Sequence, residues 1–306
     1  MLHSSCVVLL LLIPCTVSQV LSSSKRGLIY IYNSDNTDDD HIWDAASSDL
    51  TWYYNYSPYR TDGLDHSTLD FVPMLWGEPN TGDQGFYDAV ESQINSGMDI
   101  THVLGFNEPD GCEGGGSCVD AKTAARLWLD EIEPLKKHGV KLGAPAVRGF
   151  SEGVKWYNDF LSHCDGRCTI DFLPLHFYGD FAGLAGYVGG MSAAYEGMPI
   201  WVTEFAHPDT SLEETHAFYN QSSAFLDETS YIKRYSWFGS FRSDVANDYV
   251  GPNVAMLEPD GELTDIGAWY LGHPAEWEPP KSEAAFSSGL FRWIAMVATA
   301  VFLTWP

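Results

Sequence analysis

The chain has 306 residues, and its 42 Asp and Glu residues outnumber 16 Lys and Arg residues, which gives a formal net charge of −26 at pH 7. Such a chain offers little cationic surface to neutralise phosphates, so its composition argues against a nucleic-acid partner. An acidic surface suits an extracellular protein that acts on a neutral polymer, but it does not identify the chemistry.

The first predicted element is a secretory signal over residues 1–18. The sequence is apolar from Val7 to Val17, and small residues at Thr16 and Ser18 suit a signal-peptidase cut. Residues 25–278 follow without a linker or a charge run. Because their length is close to the roughly 250 residues of an eight-unit barrel, we predict a single catalytic domain there.

Short apolar runs alternate with helical stretches along this domain, a pattern that indicates a parallel sheet covered by helices. Eight strands are predicted, at Gly27–Tyr32, Thr51–Tyr54, Asp70–Leu75, His102–Phe106, Lys141–Ala144, Asp171–His176, Ile200–Thr203 and Lys233–Trp237. The clearest helices are predicted at Gln84–Ser96, Asp120–His138, Gly153–His163, Leu212–Glu228 and Leu263–Leu271. Asp120 is a predicted helix N-cap, and Gly139 is a predicted helix stop.

Two further helical segments, near Asp38–Ser48 and Ala182–Tyr195, are weakly marked, and the glycine-rich stretch Gly183–Gly190 predicts mostly loop in the second. Eight such units could form a closed barrel or an open doubly wound sheet. An open nucleotide-binding sheet needs a glycine-rich phosphate loop after its first strand, and the sequence has none there.

Polar and aromatic side chains instead collect where strands end, at Asn55, Trp76, Asn107, Glu108, Arg148, His176, Tyr178, Glu204 and Trp237. A closed barrel places its active site at this end of its strands. We therefore predict an α/β fold of the (β/α)8 TIM-barrel type.

Two glutamates carry the predicted chemistry. Glu108 ends the fourth strand directly after Asn107, and Glu204 ends the seventh strand. Two carboxylates facing each other across a sugar can hydrolyse a glycosidic bond with retention, since one protonates the leaving oxygen while the other attacks the anomeric carbon. Either glutamate alone would more often be an ion-paired strand end, but the pair at strands four and seven favours catalysis.

At these residues the sequence resembles retaining glycosidases that carry acid/base and nucleophile on barrel strands four and seven. The segments Gly105-Phe-Asn-Glu-Pro-Asp110, Pro174-Leu-His-Phe-Tyr178 and Trp201-Val-Thr-Glu-Phe205 resemble glycoside hydrolase family 128, a group of fungal β-1,3-glucanases and alkali-sensitive-linkage-like proteins. The resemblance extends from Gly27 to about His273. It implies hydrolysis of β-1,3-glucan of the fungal cell wall.

The resemblance also implies roles within the site, with Glu108 as acid/base and Glu204 as nucleophile. His176 and Tyr178 project to the same side of an extended strand, and one of them would hydrogen-bond Glu204. Asn107 would hydrogen-bond the sugar hydroxyl beside the reacting carbon. A satisfied core histidine remains the alternative for His176, and a turn role remains the alternative for Asn107.

The retaining geometry predicts carboxyl groups roughly 5 to 5.5 Å apart. Glu108 is expected to start protonated, with its pKa raised by the neighbouring negative charge. Glu204 is expected to stay ionised through hydrogen bonds from residues such as Tyr178.

Aromatic side chains near strand ends are candidates for stacking on pyranose rings. We predict Trp237 as the platform under the reacting sugar and include Trp76 and Asn55 among the substrate-binding residues. Most other aromatics are expected to belong to the core.

Four cysteines follow the signal, which in a secreted chain indicates disulfides. Their proximity in sequence favours Cys112 with Cys118 and Cys164 with Cys168, and a four-thiolate zinc site is the alternative. Asn55 and Asn220 begin N-glycosylation sequons.

The chain ends in an apolar run from Trp293 to Trp305, which is short for the roughly 20 residues that span a bilayer. Preceded by small polar residues, this run resembles a GPI-attachment signal over residues 279–306, with Ser282 as the predicted attachment site. A C-terminal amphipathic or membrane helix is the alternative.

We accordingly predict a monomeric enzyme at the cell surface or wall that contacts the membrane only through its lipid anchor. Its partner is a β-glucan polysaccharide or oligosaccharide, and the reaction needs no metal or organic cofactor. A non-catalytic β-glucan-binding protein and a hydrolase of another β-glycan are the alternatives.

Overall fold

A computed structural model describes residues 22–44, 48–65, 67–80, 82, 84–149 and 151–274. Eight strands follow one another along the chain, as predicted: β1 (Arg26–Ile29), β2 (Trp52–Tyr54), β3 (Asp70–Phe71), β4 (His102–Val103), β5 (Lys141–Leu142), β6 (Leu173–Tyr178), β7 (Ile200–Ala206) and β8 (Ile232–Trp237). All the strand pairings are parallel.

The strands form a closed ring in sequence order. Six of them make one sheet in the order β3-β2-β1-β8-β7-β6, and β4 pairs with β5. Single parallel bridges beside these strands join the two parts: Met74, after β3, bridges Leu104, after β4, and Gly143, after β5, bridges Phe172, before β6. Because β1 also pairs with β8, the predicted eight-stranded barrel is confirmed.

Seven α-helices accompany the strands in the described part of the chain: α1 (Asp40–Trp43), α2 (Phe86–Asn95), α3 (Ala121–Leu127), α4 (Ser151–Cys164), α5 (Phe181–Ala194), α6 (Leu212–Glu228) and α7 (Asp265–Tyr270). A π-helical segment, Trp128–Ile132, and a 3-10 segment, Glu133–His138, continue α3. Shorter 3-10 turns lie at Thr37–Asp39, Asp62–Leu64, Ser243–Val245 and Pro252–Val254.

The helix ends follow the predicted capping chemistry. Asp120 accepts hydrogen bonds from the backbone N–H groups of Lys122 and Thr123, at 3.1 and 3.0 Å. Gly139 ends the same helical stretch with a left-handed φ of 81°.

Helix α5 corrects one prediction, because Gly183–Gly190 is helical rather than mostly loop. Asp180 caps the helix by accepting from the Gly183 N–H at 2.7 Å. A Cβ at Gly183 would lie 2.6 Å from the Phe177 ring, so glycine here lets the first turn pack against β6. Packing against its neighbours compensates for the low helix propensity of glycine.

The barrel interior is filled by large side chains from alternate strand positions. The cluster contains Ile29, Trp52, Tyr54, Val72, Met74, Leu104, Phe172 and Trp201, all of them buried. At the end where the strands begin, the Arg234 guanidinium lies 5.4 Å from the Trp52 ring and 4.7 Å from the Trp201 ring.

Asp49 joins the first and last parts of the described chain. Its carboxylate accepts from Ser22 Oγ at 3.1 Å and from buried Arg26 at 3.1 Å, and its own N–H donates to the Leu271 carbonyl at 3.1 Å. Arg26 also donates to the carbonyl oxygens of Trp269 and Tyr270, at 2.8 and 2.9 Å. This junction lies where β1 begins, opposite the end where the strands finish.

The predicted signal at residues 1–18 and the predicted attachment signal at 279–306, with Ser282, lie outside the described residues. Within the described ranges, no helix combines the length and the hydrophobicity that a membrane crossing requires.

Candidate active site

A cleft of about 960 Å³ opens at the carboxyl ends of the strands. It brings together seven of the predicted site residues, Asn55, Trp76, Asn107, Glu108, His176, Tyr178 and Glu204. Arg148, named above only as a polar strand end, also lines it. Residues that the sequence did not single out line it as well, among them Tyr32, Tyr56, Phe238 and Tyr249. This is the end at which a barrel positions its functional groups.

Glu108 is held by its backbone as well as its side chain. Its φ of 41° is in the left-handed region, which non-glycine residues rarely adopt. The backbone N–H donates to the Ala146 carbonyl at 2.8 Å, and the carbonyl accepts from Gly111 at 3.0 Å. Its carboxylate accepts from Arg148 Nε at 3.2 Å and lies 3.0 Å from His176 Nδ1.

A β-bulge aims Glu204 into the cleft. The pairing of β6 with β7 passes from Leu175–Val202 directly to His176–Glu204, so Thr203 is an extra residue on β7. In a regular strand that contained Thr203, alternation would put Glu204 on the opposite face from Trp201, which lies in the barrel interior. The bulge restores Glu204 to the interior side at the mouth.

Two phenol groups hold the Glu204 carboxylate, one on each oxygen. Tyr178 donates to Oε2 at 2.6 Å, and Tyr56 donates to Oε1 at 2.8 Å. The resemblance implied that either His176 or Tyr178 would hydrogen-bond Glu204, and Tyr178 makes this bond. The sequence did not indicate Tyr56, which lies beyond the end of β2 and itself has a φ of 57°.

His176 lies between the two glutamates. Its Nδ1 is 3.0 Å from Glu108 Oε1 and 3.4 Å from Glu204 Oε2, and the ring is buried. An oxygen of each carboxylate and a ring nitrogen lie within 4.8 Å of one another. These three side chains could also ligate a cation. Two of them are the carboxylates that are predicted to act without a metal.

The pKa of Glu108 is lowered, whereas the prediction was that it would be raised. Burial opposes ionisation of Glu108, but the hydrogen bond and charge of His176 and the charge of Arg148 outweigh it and lower its pKa. Burial and the charge of Glu108 raise the pKa of Glu204 despite the opposing effects of His176 and the two tyrosines. The predicted rise at Glu108 is wrong because the prediction counted only the neighbouring negative charge. The pKa rises instead at Glu204, which was expected to stay ionised.

The pKa of His176 is raised, since burial is outweighed by the charge of Glu204 and the hydrogen bond to Glu108. The imidazole can therefore hold a proton within hydrogen-bond distance of Glu108. The alternative of an inert core histidine does not fit this contact, although the ring is buried.

Two asparagines that line the cleft have side-chain oxygens without a hydrogen-bond partner among the described residues. Asn107 donates from Nδ2 to the Gly115 carbonyl at 3.1 Å, and Asn55 donates from Nδ2 to the Tyr59 carbonyl at 2.9 Å. The Oδ1 atoms of both are buried. Each oxygen can accept from a sugar hydroxyl, which supplies a missing partner.

Trp237 corrects the predicted sugar platform, because its side chain is only 1% exposed. Its Nε1 donates to the Val254 carbonyl at 2.8 Å, and its ring contacts Phe218 and Tyr219 of α6. Even-numbered Arg234 of β8 faces the barrel interior, so Trp237 faces the helices by alternation. Phe238, the next residue, lines the cleft instead.

Exposed aromatic rings surround the cleft mouth. Trp76 is 40% exposed and lines the cleft, as predicted for a substrate-binding residue. Tyr32 and Tyr249 are 67% and 58% exposed and line it too. Tyr249 also contacts the Tyr178 ring edge-on at 5.6 Å between ring centres.

Both predicted disulfides are present, Cys112–Cys118 and Cys164–Cys168, with Cα–Cα distances of 4.4 and 5.4 Å. The four cysteines are therefore not zinc ligands. The first disulfide closes the loop that contacts Asn107 and Arg148 through its carbonyl groups.

The two sequons stay predictions. Asn55 lines the cleft, so a glycan on it would occupy the space assigned to substrate, and the two roles predicted for Asn55 exclude each other. Asn220 lies within α6. The hydroxyl that its sequon supplies is that of Ser222, which is buried and donates to the Phe218 carbonyl at 2.6 Å.

Two buried glutamates face each other in an open, aromatic-lined cleft at the mouth of a parallel barrel, and this arrangement defines a barrel glycosidase. The sequence relationship is consistent with this class. The chain belongs to the glycosyl hydrolase catalytic core family, whose model matches residues 27–270.

Similar proteins place the chain near glycoside hydrolase family 128, as the motifs predicted. Alkali-sensitive linkage protein 1 of Schizosaccharomyces pombe is 34% identical over 258 residues, which are 81% of this chain but only 44% of that protein. The matched part of the chain therefore spans less than half the length of this relative.

Solved structures of family 128 enzymes share the fold. An exo-β-1,3-glucanase of Aureobasidium namibiae, subgroup VI, matches with a TM-score of 0.68 and 25% identity over 83% of this chain and 97% of that one. An endo-β-1,3-glucanase of Sorangium cellulosum, subgroup II, matches with a TM-score of 0.65 and 28% identity over 83% of this chain and 100% of that one. A mutant endo-β-1,3-glucanase of Amycolatopsis mediterranei in complex with laminarihexaose matches with a TM-score of 0.62 and 25% identity over 82% of this chain and 100% of that one.

Proposed function

We propose that this protein is a retaining glycoside hydrolase of β-1,3-glucan, with Glu108 as acid/base and Glu204 as nucleophile. One observation carries the proposal: oxygens of the two carboxylates lie within 4.8 Å of each other in the cleft. Inverting enzymes hold their carboxyl groups about 6.5 to 9.5 Å apart to admit a water molecule. The short separation supports direct attack by a carboxylate.

In the first step, Glu204 attacks the anomeric carbon while Glu108 gives its proton to the departing glycosidic oxygen. The bond to the leaving sugar breaks as the bond to the Glu204 oxygen forms. In the second step, ionised Glu108 takes a proton from water, and the resulting hydroxide displaces Glu204. Retention follows from two inversions.

His176 can supply the proton that Glu108 needs at the start. Its Nδ1 lies 3.0 Å from Glu108 Oε1, so a proton on the imidazole can pass to the carboxylate without crossing the cleft. The total charge of the two groups does not change in this transfer. The reactive form then has protonated Glu108, neutral His176 and ionised Glu204, which Tyr56 and Tyr178 stabilise.

Substrate replacement tests the choice of β-1,3-glucan over other β-glycans. The similar structures are β-1,3-glucanases, which supports this choice. Purified protein should hydrolyse laminarin and leave mannan, xylan and cellulose intact, and chromatography of the products separates endo from exo action. Faster release of sugars from mannan, xylan or cellulose than from laminarin would contradict the substrate assignment.

Azide rescue tests the two glutamate roles. Glu204→Ala should abolish hydrolysis, and azide should restore turnover of an activated aryl glucoside with an inverted product, because azide replaces the missing nucleophile. Glu108→Ala should still form the glycosyl-enzyme on such a substrate, and azide should then give a retained product. Exchanged outcomes would reverse the roles. A binding protein without activity would show no turnover in the wild type.

We also propose that the protein is secreted and held at the cell surface or wall as a monomer, through a GPI anchor at Ser282. The apolar run at the chain's end and the small residues before it motivate this proposal. Phosphatidylinositol-specific phospholipase should release the native protein from membranes, and a chain truncated after Pro280 should enter the medium. Detection of the intact C-terminal peptide in the mature protein would refute the anchor.

A further inference from the structure

Arg148 connects the Glu108 carboxylate to the loop closed by Cys112–Cys118. Nε donates to Glu108 Oε2 at 3.2 Å, and Nη2 donates to the Glu113 carbonyl at 2.7 Å. The Arg148 backbone N–H donates to Asp110 Oδ1 at 3.1 Å. These contacts fix the guanidinium against one oxygen of Glu108, while His176 contacts the other.

Gly111 makes room for this guanidinium. A Cβ at Gly111 would lie 1.5, 1.9 and 2.4 Å from three atoms of the Arg148 guanidinium, which are its nearest neighbours. Its φ lies outside the left-handed range that favours glycine. The absence of a side chain at Gly111 therefore serves the position of Arg148 rather than a turn of the backbone.

We propose that Arg148, seated on Gly111, is a positioning residue that orients Glu108 and sets the pH range over which Glu108 holds its proton. The inference rests on the proposed acid/base role of Glu108. A guanidinium holds its N–H groups in a fixed planar fork, so its effect on a neighbouring carboxyl depends on how close those groups lie and how well they align with it.

Several ionisable groups face Glu108 from the surrounding elements, namely Tyr54 of β2, His176 of β6, Glu204 of β7, Arg148 after β5, Asp110 of its own segment, and Tyr178 and Tyr249 at the mouth. Of these, His176 and Arg148 can be cationic. Both lower the pKa of Glu108, whereas burial raises it. Moving Arg148 away should therefore raise the pKa of Glu108 and let it keep its proton at higher pH.

The test compares the pH dependence of kcat/KM on laminarin oligosaccharides for the wild type, Arg148→Met and Gly111→Ala. In both variants the alkaline limb should move up by about one pH unit, as for other carboxyls that lose an arginine neighbour, so the relative rate above the limb rises about tenfold. Arg148→Lys should restore part of the wild-type limb. Loss of alignment should lower kcat at the optimum and leave KM unchanged.

Two control variants match these changes. Arg126→Met removes an exposed arginine that pairs with Glu78 and Asp130, and Gly189→Ala adds a methyl group in open space on α5. Neither should move the limb. Thermal melting verifies that every variant is folded.

Unchanged limbs in folded Arg148→Met and Gly111→Ala would overturn the inference, as would a rise in KM with an unmoved limb, which would make Arg148 a substrate contact. Carbon-13 NMR titration of labelled glutamates, with the Glu108 signal identified by Glu108→Gln, reads the same pKa without turnover. A rise in this pKa in Arg148→Met supports the inference. If the wild type then hydrolyses no glycan, the proposed function fails separately.

Discussion

Two tyrosine hydroxyls hold the Glu204 carboxylate, and removing either should slow the reaction and change its pH dependence. Tyr56→Phe and Tyr178→Phe each delete one donor, at 2.8 and 2.6 Å, while the ring remains. A hydrogen bond to a charged group contributes about 1.5 to 3 kcal/mol. Since about 1.4 kcal/mol corresponds to a tenfold change in rate, we expect kcat/KM to fall about tenfold to hundredfold.

The pH profile gives the second readout. Both hydrogen bonds favour ionised Glu204 and oppose the rise in its pKa caused by burial. Each substitution should raise this pKa further, so Glu204 becomes protonated at a higher pH and the acid limb of kcat/KM moves upward. The double variant should lose less than the product of the single losses, because both donors share one carboxylate.

Steady-state kinetics on laminarin oligosaccharides measures both effects, and Tyr59→Phe is the matched control. The Tyr59 hydroxyl bonds Gln84 and is absent from the cleft lining, so its loss should change neither kcat/KM nor the limb. If folded Tyr56→Phe and Tyr178→Phe both retain kcat/KM within twofold of the wild type, the phenols do not stabilise the reactive form of Glu204 and the reasoning is refuted.

Three further predictions concern stability and metal dependence. Trp237→Ala should lower the free energy of unfolding by about 3 to 5 kcal/mol in denaturant titrations, since it opens a cavity in the core; a stable variant with reduced turnover would restore Trp237 to the cleft. Asp120→Ala should cost about 1 kcal/mol in the same assay through loss of a helix cap, and Asp120→Asn should retain most of it. Dialysis against EDTA should leave kcat/KM unchanged, and a loss reversed by one divalent ion would assign a metal to Glu108, His176 and Glu204.

The strands were predictable because their signals are local. Each is a short apolar run between polar segments, and all eight lie where such runs occur. Most of α5 was predicted as loop because glycine lowers helix propensity, whereas contacts outside the helix, such as Gly183 with Phe177, decide the outcome.

The two site glutamates were predictable from strand ends, and so were His176 and Tyr178 beside them, but the other contacts of the pair were not. Tyr56 reaches Glu204 across 148 residues of sequence, and Arg148 reaches Glu108 across 40, so no periodicity connects them. The reversed pKa of Glu108 follows from the same omission. Trp237 was misassigned because the sequence does not show that Arg234 faces inward, and alternation along β8 from Arg234 puts Trp237 on the helix side.

The junction at Asp49 has a practical consequence for handling the protein. Ser22 and Leu271 both bond this one residue, so the described chain enters and leaves the barrel at neighbouring points. Those points lie on the face opposite the cleft. An affinity tag or surface linker fused beyond either point would therefore leave the cleft open to a bulky polymer. A short connector between the same points would also allow circular permutation, with new ends cut in an exposed loop.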